Sequence, residues 1–194
     1  MRVAITGSIG SGKSEMGRIL RNIGYTVIDS DVLAGDLLEK GQVVHGLVIE
    51  LFGDKITDEL GNIRRDLLAD RIFVHPDEKE KLENMMHPRI WEEVERLHQQ
   101  HVSEKVIFTE VPLLFETNSQ SRFDKSVVVI VEKNIAIDRL MKERNFNYEQ
   151  AERRWNTQMD IQEKMGLADD VIFNNSDIND FVIEINRYLN KLLK

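Results

Sequence analysis

The sequence predicts an α/β fold, a doubly wound five-stranded parallel sheet of the phosphate-loop type. Three observations predict it. Five short β-rich runs are separated by stretches with helical periodicity, a glycine-rich turn joins the first strand to the first helix, and acidic residues close two of the strands. Open α/β sheets place their ligand sites at such carboxyl ends. A length of 194 residues suits one domain of ordinary size, or one core carrying an insertion.

The elements follow in chain order. Val3-Ala4-Ile5-Thr6 is a short buried strand that stops at Gly7. From Lys13, apolar residues at Met16, Ile19, Leu20 and Ile23 keep helical spacing, and Gly24 is a C-cap signal. Tyr25-Thr26-Val27-Ile28 is a second strand ending in Asp29-Ser30-Asp31, which makes a parallel βαβ unit with a right-handed crossover. From 32 to 101 little reads as strand. Leu33, Leu37 and Leu38, then Val44, Leu47, Val48 and Leu51, then Leu67, Leu68, Ile72 and Phe73 suggest helices. A further helix with Leu82, Met85 and Met86 is expected to break at His87-Pro88, because a proline disfavours the helical conformation of the residue before it. Val106-Ile107-Phe108-Thr109 resumes the strands and ends in Glu110, and Val127 to Val131 is the fourth. After an arginine-rich helical stretch, Val171-Ile172-Phe173 is the fifth strand. The closing helix carries Ile178, Phe181, Val182, Ile185, Leu189 and Leu192 on one stripe. The expected division is a nucleotide-binding core over 1–31, 102–134 and 166–194, a helical insertion over 32–101, and a separate helical region over 135–165.

Composition narrows the function. There are no cysteines, which removes disulfides, iron–sulfur clusters, thiol catalysis and cysteine zinc sites. A net charge of −8 argues against a dedicated nucleic-acid or anionic-membrane binder, and any anionic substrate must meet a local basic cluster. No apolar run approaches the roughly 18 residues of a membrane span, and the N-terminus carries no secretory pattern, so the expectation is a cytoplasmic protein. No obligatory protein partner is expected. His98 and His101 share a helix face by spacing but lack a third ligand, so structural zinc is not expected.

Gly7-Ser8-Ile9-Gly10-Ser11-Gly12-Lys13-Ser14 fits the phosphate-loop pattern of glycine, four residues, then glycine, lysine and serine or threonine. Glycines let successive backbone N–H groups approach phosphate oxygens, and the following helix adds unpaired N–H groups and a positive dipole end. Lys13 is placed to reach the β- and γ-phosphates of ATP, and the Ser14 hydroxyl to ligate magnesium. The Asn-Lys-x-Asp element of a GTPase is absent, and Asp58-Glu59-Leu60-Gly61 reads as a polar turn rather than a switch. A small-molecule kinase fits the size and the insertion after the second strand. Another nucleoside or nucleotide kinase, or an ATP-sensing module, remains open on the residues alone.

Over nearly its whole length the sequence resembles the dephospho-coenzyme A kinase family. The shared segments are Ile5 to Ser14, Val27-Ile28-Asp29-Ser30-Asp31, Leu51-Phe52-Gly53, Arg65 with Leu68-Ala69, His87-Pro88, Val111-Pro112-Leu113-Leu114-Phe115-Glu116, Arg139-Leu140, Gln158, and Ala168 to Ile172 followed by Asn174-Asn175. The resemblance implies magnesium-dependent transfer of the γ-phosphoryl group of ATP to the ribose 3′-hydroxyl of dephospho-coenzyme A, the last step of coenzyme A synthesis. It makes the 32–101 insertion the coenzyme-A-binding region and 135–165 a lid. Glu15 stands where the family often has threonine, Gly35 where it has a bulkier polar residue, and Ala136 where it has glutamine. The lid arginines Arg139 and Arg144 are spaced one residue wider than usual.

Within that frame Asp31 is the candidate for orienting or deprotonating the attacking hydroxyl, with a helix N-cap near Val32 as its competing role. Asp29, two residues earlier in a strand, is expected to face the same side. Glu110 is the candidate acidic partner of magnesium. Arg139 and Arg144 are candidate phosphate ligands, Arg153 and Arg154 lie in the same helical region, and Arg65 is the acceptor-side arginine. His87, Pro112 and Leu113 are expected near the acceptor, the last two as an apolar wall. Asn174 and Asn175 are expected in a loop passing the adenine, through backbone more than side chain. Trp91 and Trp155 read as packing residues.

Overall fold

A computed structural model describes residues 1–194 as two compact units, one formed by Met1–Ile28 with His101–Lys194 and the other by Asp29–Gln100. In the first unit the strands β1 (Arg2–Gly7), β2 (Thr26–Asp29), β3 (Ile107–Glu110), β4 (Lys125–Ile130) and β5 (Asp170–Phe173) form one sheet in the order β2-β3-β1-β4-β5. β1 pairs in parallel with β3 and β4, and β4 with β5, in registers such as Ile5 opposite Glu110 and Gly7 opposite Val129. β1 and β4 are buried along nearly their whole length, which explains why they are continuous apolar runs rather than alternating ones. The registers bring the carboxyl ends of β1, β3 and β4 level, so Gly7 and Glu110 leave the sheet at the same edge.

Helices α1 (Lys13–Asn22) and α9 (Ile178–Leu192) cover one face. Met16, Ile19 and Leu20 of α1 and Phe181, Ile185, Tyr188, Leu189 and Leu192 of α9 pack with Val3, Ile5, Phe108, Val127 and Val129 in one core cluster. Helix α1 ends in a Schellman motif: Gly24 has φ 97°, its N–H donates to the Arg21 carbonyl at 3.0 Å, and the Tyr25 N–H donates to the Leu20 carbonyl at 3.0 Å. Helix α9 starts on Asp177, whose carboxylate accepts from the N–H groups of Asn179 and Asp180.

The region expected as one helical stretch is three helices, α6 (Lys133–Arg144), α7 (Tyr148–Asn156) and α8 (Ile161–Leu167). Asn147 and Gln150 form a capping box at the start of α7, and Asp160 caps α8 through the Gln162 N–H. Ile137, Leu140 and Ala151 are buried in a small cluster that Phe146, Trp155 and Ile9 of the phosphate loop join.

The second unit holds α2 (Ser30–Leu37), α3 (Val43–Phe52), α4 (Arg65–Val74) and α5 (Pro76–Gln100) around Val44, Val48, Phe52, Ile56, Leu68, Leu82 and Met86. Asp58 closes the polar turn between α3 and α4, accepting from the N–H groups of Leu60 and Asn62, with Gly61 at φ 78°. One expectation is overturned: α5 does not break at His87-Pro88 but runs through it for 25 residues. Pro88 has no N–H to give the carbonyl of Asn84, four residues back, and the Arg89 guanidinium donates to the Met85 carbonyl at 2.8 Å beside it. Leu82 and Met86 before the proline and Val94 and His98 after it are all buried. Burial on both sides offsets what the proline costs, so tertiary packing prevails over the local preference.

Pro88 itself is exposed, so replacing it gives up little packing. Pro88→Ala restores the helical donor at a site where proline costs about 3 kcal/mol. The expected outcome is a Tm several degrees higher, at roughly 2–4 °C per kcal/mol recovered; thermal unfolding by circular dichroism checks this, and an unchanged or lower Tm refutes it.

Candidate active site

The loop from Gly7 to Ser14 turns sharply from β1 into α1, and its glycines are required by different contacts. At Gly7 a Cβ would lie 2.5 Å from Ser11 Oγ and 2.6 Å from the Val129 carbonyl oxygen. Gly10 and Gly12 have φ 76° and 93°, the left-handed region that side chains disfavour. Ser8 and Ser11 are buried, whereas Ser14 is exposed in the first turn of α1. Gly12 caps that helix without a side chain, so the first-turn N–H groups of Lys13, Ser14 and Glu15 have no capping group from the chain. Such a helix terminus attracts anions. The Glu15 carboxylate is engaged by Arg18, whose hydrogen bond holds its pKa below the ordinary glutamate value.

Two side chains grip the loop from behind by its carbonyl oxygens. Asn174 Nδ2 donates to the Ser11 carbonyl at 2.8 Å, and Arg139 Nη1 donates to the Gly10 carbonyl at 3.2 Å. Arg139 Nη2 also reaches the Asn174 carbonyl at 3.0 Å, so the two braces are tied to each other. A peptide group is planar and trans, so fixing the Ser11 carbonyl turns the Gly12 N–H to the opposite side, away from Asn174. The brace also explains Gly12, where a Cβ would sit 2.2 Å from Asn174 Nδ2. Asn174 is buried, and the Asn175 side chain accepts from the Glu132 N–H at the start of α6. Both asparagine side chains are therefore internal ties. Arg139, expected as a phosphate ligand, spends two of its donors on the backbone. Arg144 is exposed in the last turn of α6, as is Arg153 in α7, and Arg154 stacks on the Phe146 ring with its guanidinium carbon 4.6 Å from the centroid.

At the end of β3, Glu110 has no exposure at all, and both its oxygens hold cations: Lys13 Nζ at 3.2 Å and Arg21 Nη2 at 3.0 Å. Nothing in the local sequence marks Arg21 or Gly17 as part of the site. Arg21 looks like an ordinary basic residue in the last turn of a helix, and only the fold brings it to Glu110. Ser14 fits magnesium as an exposed hydroxyl beside a phosphate site. Glu110 fits it as an outer anionic partner, since both oxygens are engaged. Beyond β3, Thr6 Oγ1 donates to the Pro112 carbonyl at 3.3 Å; Leu113 is exposed, and Leu114 and Phe115 are core. The run Pro112 to Phe115 thus divides into a surface half and a packing half.

In the second unit, Asp29 rather than Asp31 is the N-cap of α2, its Oδ1 accepting from the N–H groups of Asp31 at 2.9 Å and Val32 at 3.3 Å. This corrects the expected cap, and it also removes the strand alternation proposed for the pair, because β2 ends at Asp29 and Asp31 is already helical. Asp31 is exposed in the first turn. Arg65 Nη2 bonds the Gly35 carbonyl at 2.9 Å and Glu39 Oε1 at 2.7 Å. A Cβ on Gly35 would lie 2.7 Å from Arg65 Nη1, so the glycine at this departure from the family pattern makes room for the guanidinium. Ala136, the other departure, is buried against Gly10, where a Cβ would come within 3.3 Å of its own. His87 is half-buried in α5.

Gly17 lies directly under Glu110: an added Cβ would stand 2.0 Å from Oε1 and 2.7 Å from Cδ. Gly17→Ala must displace the carboxylate from its cations. Helix propensity alone favours alanine by about 1 kcal/mol, so a net loss of about 1–3 kcal/mol in chemical denaturation is the expected result of overpacking. A stabilised variant would show that Glu110 is not fixed here.

Comparison with known proteins agrees with this geometry. The family model for dephospho-CoA kinase matches residues 1–180. A dephospho-CoA kinase of Aquifex aeolicus is 34% identical over 193 residues, covering 100% of this chain and 98% of the relative. Among solved structures, one from Thermus thermophilus superposes with a TM-score of 0.83 at 29% identity, covering 100% of this chain and 96% of that one. The dephospho-CoA kinase from Campylobacter jejuni gives 0.74 at 27% identity over 98% of this chain and 96% of its own. A braced phosphate loop, a buried lysine–carboxylate–arginine cluster and a match along almost the whole length lead to one conclusion: the chain belongs to the dephospho-CoA kinase family of ATP-dependent transferases.

Proposed function

We propose that the chain transfers the γ-phosphoryl group of ATP to the ribose 3′-hydroxyl of dephospho-CoA, giving CoA and ADP. The observation that carries the reading is the loop itself, whose carbonyls are held from outside by Arg139 and Asn174 and whose lysine is held ready by Glu110. Phosphoryl transfer is catalysed mainly by positioning and charge neutralisation, so a site of fixed N–H donors beside a mobile cation suits it. On arrival of the triphosphate, Lys13 exchanges Glu110 for phosphate oxygens and Arg21 keeps the buried carboxylate neutralised. Bound magnesium would add charge neutralisation at the β- and γ-phosphates. Ser14 would be its ligand from the chain, with Glu110 as the outer carboxylate.

The remaining roles follow from chain position and family resemblance. Asp31, just past the carboxyl end of β2, orients the acceptor hydroxyl and takes its proton, and Asp29 fixes the turn that presents it. Arg65 neutralises the pyrophosphate of dephospho-CoA; its side chain is 57% exposed and so keeps access to a ligand. Residues 32–101, His87 among them, take the acceptor, and Pro112 and Leu113 offer apolar surface to it. Residues 135–165 act as the lid. There Arg144 is the better placed phosphate ligand, and Arg139 acts by holding the loop. The backbone after β5, at Asn174 and Asn175, passes the adenine. No helix is long and apolar enough to cross a membrane.

Lys13→Ala is expected to fold and to lose at least about 10²-fold in kcat/KM, because the charge that develops on the moving phosphoryl group loses its neutralising cation. An ADP-release assay comparing dephospho-CoA with AMP, CMP, uridine and water tests the acceptor in parallel. Turnover confined to a nucleoside monophosphate would replace the proposed substrate.

Asp31→Asn is expected to lower kcat by about 10²–10⁴-fold with little change in ATP affinity, since the amide keeps the shape and cannot take the proton. Because Asp29 holds the cap, the substitution leaves α2 its N-terminal bonds. A folded variant within a few-fold of the parent kcat would limit Asp31 to orientation.

A further inference from the structure

We infer that Gln158 is a positioning residue for the phosphate loop, itself held in place by a buried ion pair between Lys164 and Glu116. The inference rests on Gly7–Ser14 being the triphosphate site. Gly10 and Ser11 are gripped by their carbonyls, but the first half of the loop has a different tie: the Ile9 N–H donates to Gln158 Oε1 at 2.7 Å. Gln158 lies between α7 and α8, so this bond joins the loop to the proposed lid. The side chain of Ile9 makes the same connection, packing with Ile137, Leu140, Phe146 and Trp155.

The segment carrying Gln158 is fixed in turn. The Gln158 N–H donates to the Trp155 carbonyl at 3.3 Å, and the Met159 N–H to Glu116 Oε1 at 3.4 Å. Glu116 follows β3, and Lys164 Nζ lies 2.8 Å from that same oxygen with no exposure at all. No hydrogen bond of good alignment reaches Lys164 Nζ, and Glu116 Oε2 is buried without a partner, so the pair is a contact of charges rather than a satisfied network. Burying a lysine costs more solvation than one carboxylate usually returns, which makes the pair a poor device for stability. What it does accomplish is to fix Glu116 under Met159 and thereby hold Gln158 over Ile9.

The space beside the tie explains its expected size. A cavity of about 260 Å³ is lined by Ser8, Trp155, Asn156, Gln158, Met159, Asp160 and Ile161. Water can enter when the Gln158 side chain is shortened or made apolar, and can then satisfy the Ile9 N–H. The loss is then one of order in the loop and not of a bond outright. It should fall on the substrate whose phosphates need the loop preshaped, and within the range of one net hydrogen bond, about 2- to 12-fold.

The test uses the full chain with Gln158→Met, which keeps the length and removes the acceptor, and Gln158→Glu, which keeps an acceptor oxygen. Amide hydrogen exchange of Ile9 in the nucleotide-free protein is expected to quicken about tenfold or more in Gln158→Met and to return toward the parent in Gln158→Glu. The KM for ATP of Gln158→Met is expected to rise about 3- to 10-fold, with the KM for dephospho-CoA and the Tm unchanged. The double variant Glu116→Gln/Lys164→Met, which removes the pair without leaving a lone buried charge, is expected to quicken Ile9 exchange as well. Unchanged Ile9 exchange in Gln158→Met overturns the inference, and so does a parallel shift of both KM values and the Tm, which marks a merely structural role. Lys13→Ala is measured alongside. If it keeps the parent kcat/KM for ATP, the triphosphate site lies elsewhere; if it loses kcat/KM while Gln158→Met behaves as the parent, only the role of Gln158 falls.

Discussion

A carboxylate with no solvent exposure must be neutralised by its neighbours, and Glu110 at the end of β3 imposes that requirement on everything around it. Lys13 and Arg21, from opposite ends of α1, each supply a cation, which sets the rotation of that helix about its axis. Gly17, between them, has no side chain because Glu110 occupies the place of one. The parallel register that sets Ile5 opposite Glu110 then fixes where β1 releases the chain into the loop. One buried charge thus relates β3, β1 and α1, and it holds the lysine of the glycine-rich loop at the carboxyl edge of the sheet.

The loop itself is shaped by what lies behind it. Backbone N–H groups bind an anion well only if their peptide planes are already turned toward it, since turning them on binding costs affinity. Asn174 fixes one of those planes through the Ser11 carbonyl, and Arg139 holds the neighbouring one through the Gly10 carbonyl, its Ser11 N–H donating within the loop to the Ser8 carbonyl at 3.0 Å. These residues come from α6 and the turn after β5, far away in sequence and adjacent only because β4 and β5 pair beside β1. The loop's pattern of glycines is therefore only half of the device.

The sheet was legible because its central strands β1, β3 and β4 are buried on both faces and so read as apolar runs, and the loop because each of its positions answers to a local steric or chemical demand. What could not be read came from contacts distant in sequence. Arg21 and Gly17 carry no local sign of Glu110, and Asn174 is indistinguishable from a turn residue until Ser11 is found within its reach. Local sequence rules fail where a boundary lies one or two residues away. Asp29 and Asp31 share a face only if the strand continues past Asp29, and it ends there. Pro88 breaks a helix only if nothing holds the two halves together, and buried side chains on both sides do.

The chain carries a net charge of −8 and yet must receive a polyphosphate. A uniformly acidic surface would repel such a ligand, so attraction has to be local, from the cations at the sheet's carboxyl edge and the dipole end of α1. Within the first unit Lys13, Arg21 and Arg139 gather around the loop, with Glu110 as the carboxylate bonded to two of them. That arrangement leaves an excess of positive charge without leaving any of these cations unsupported while the nucleotide is away. Arginine serves the two fixed positions, where its planar fork bonds a carbonyl or a carboxylate and stays put. Lysine holds the other oxygen of Glu110, and a single ammonium on a flexible stem is what the proposed exchange of carboxylate for phosphate needs, since no bidentate contact has to be dismantled.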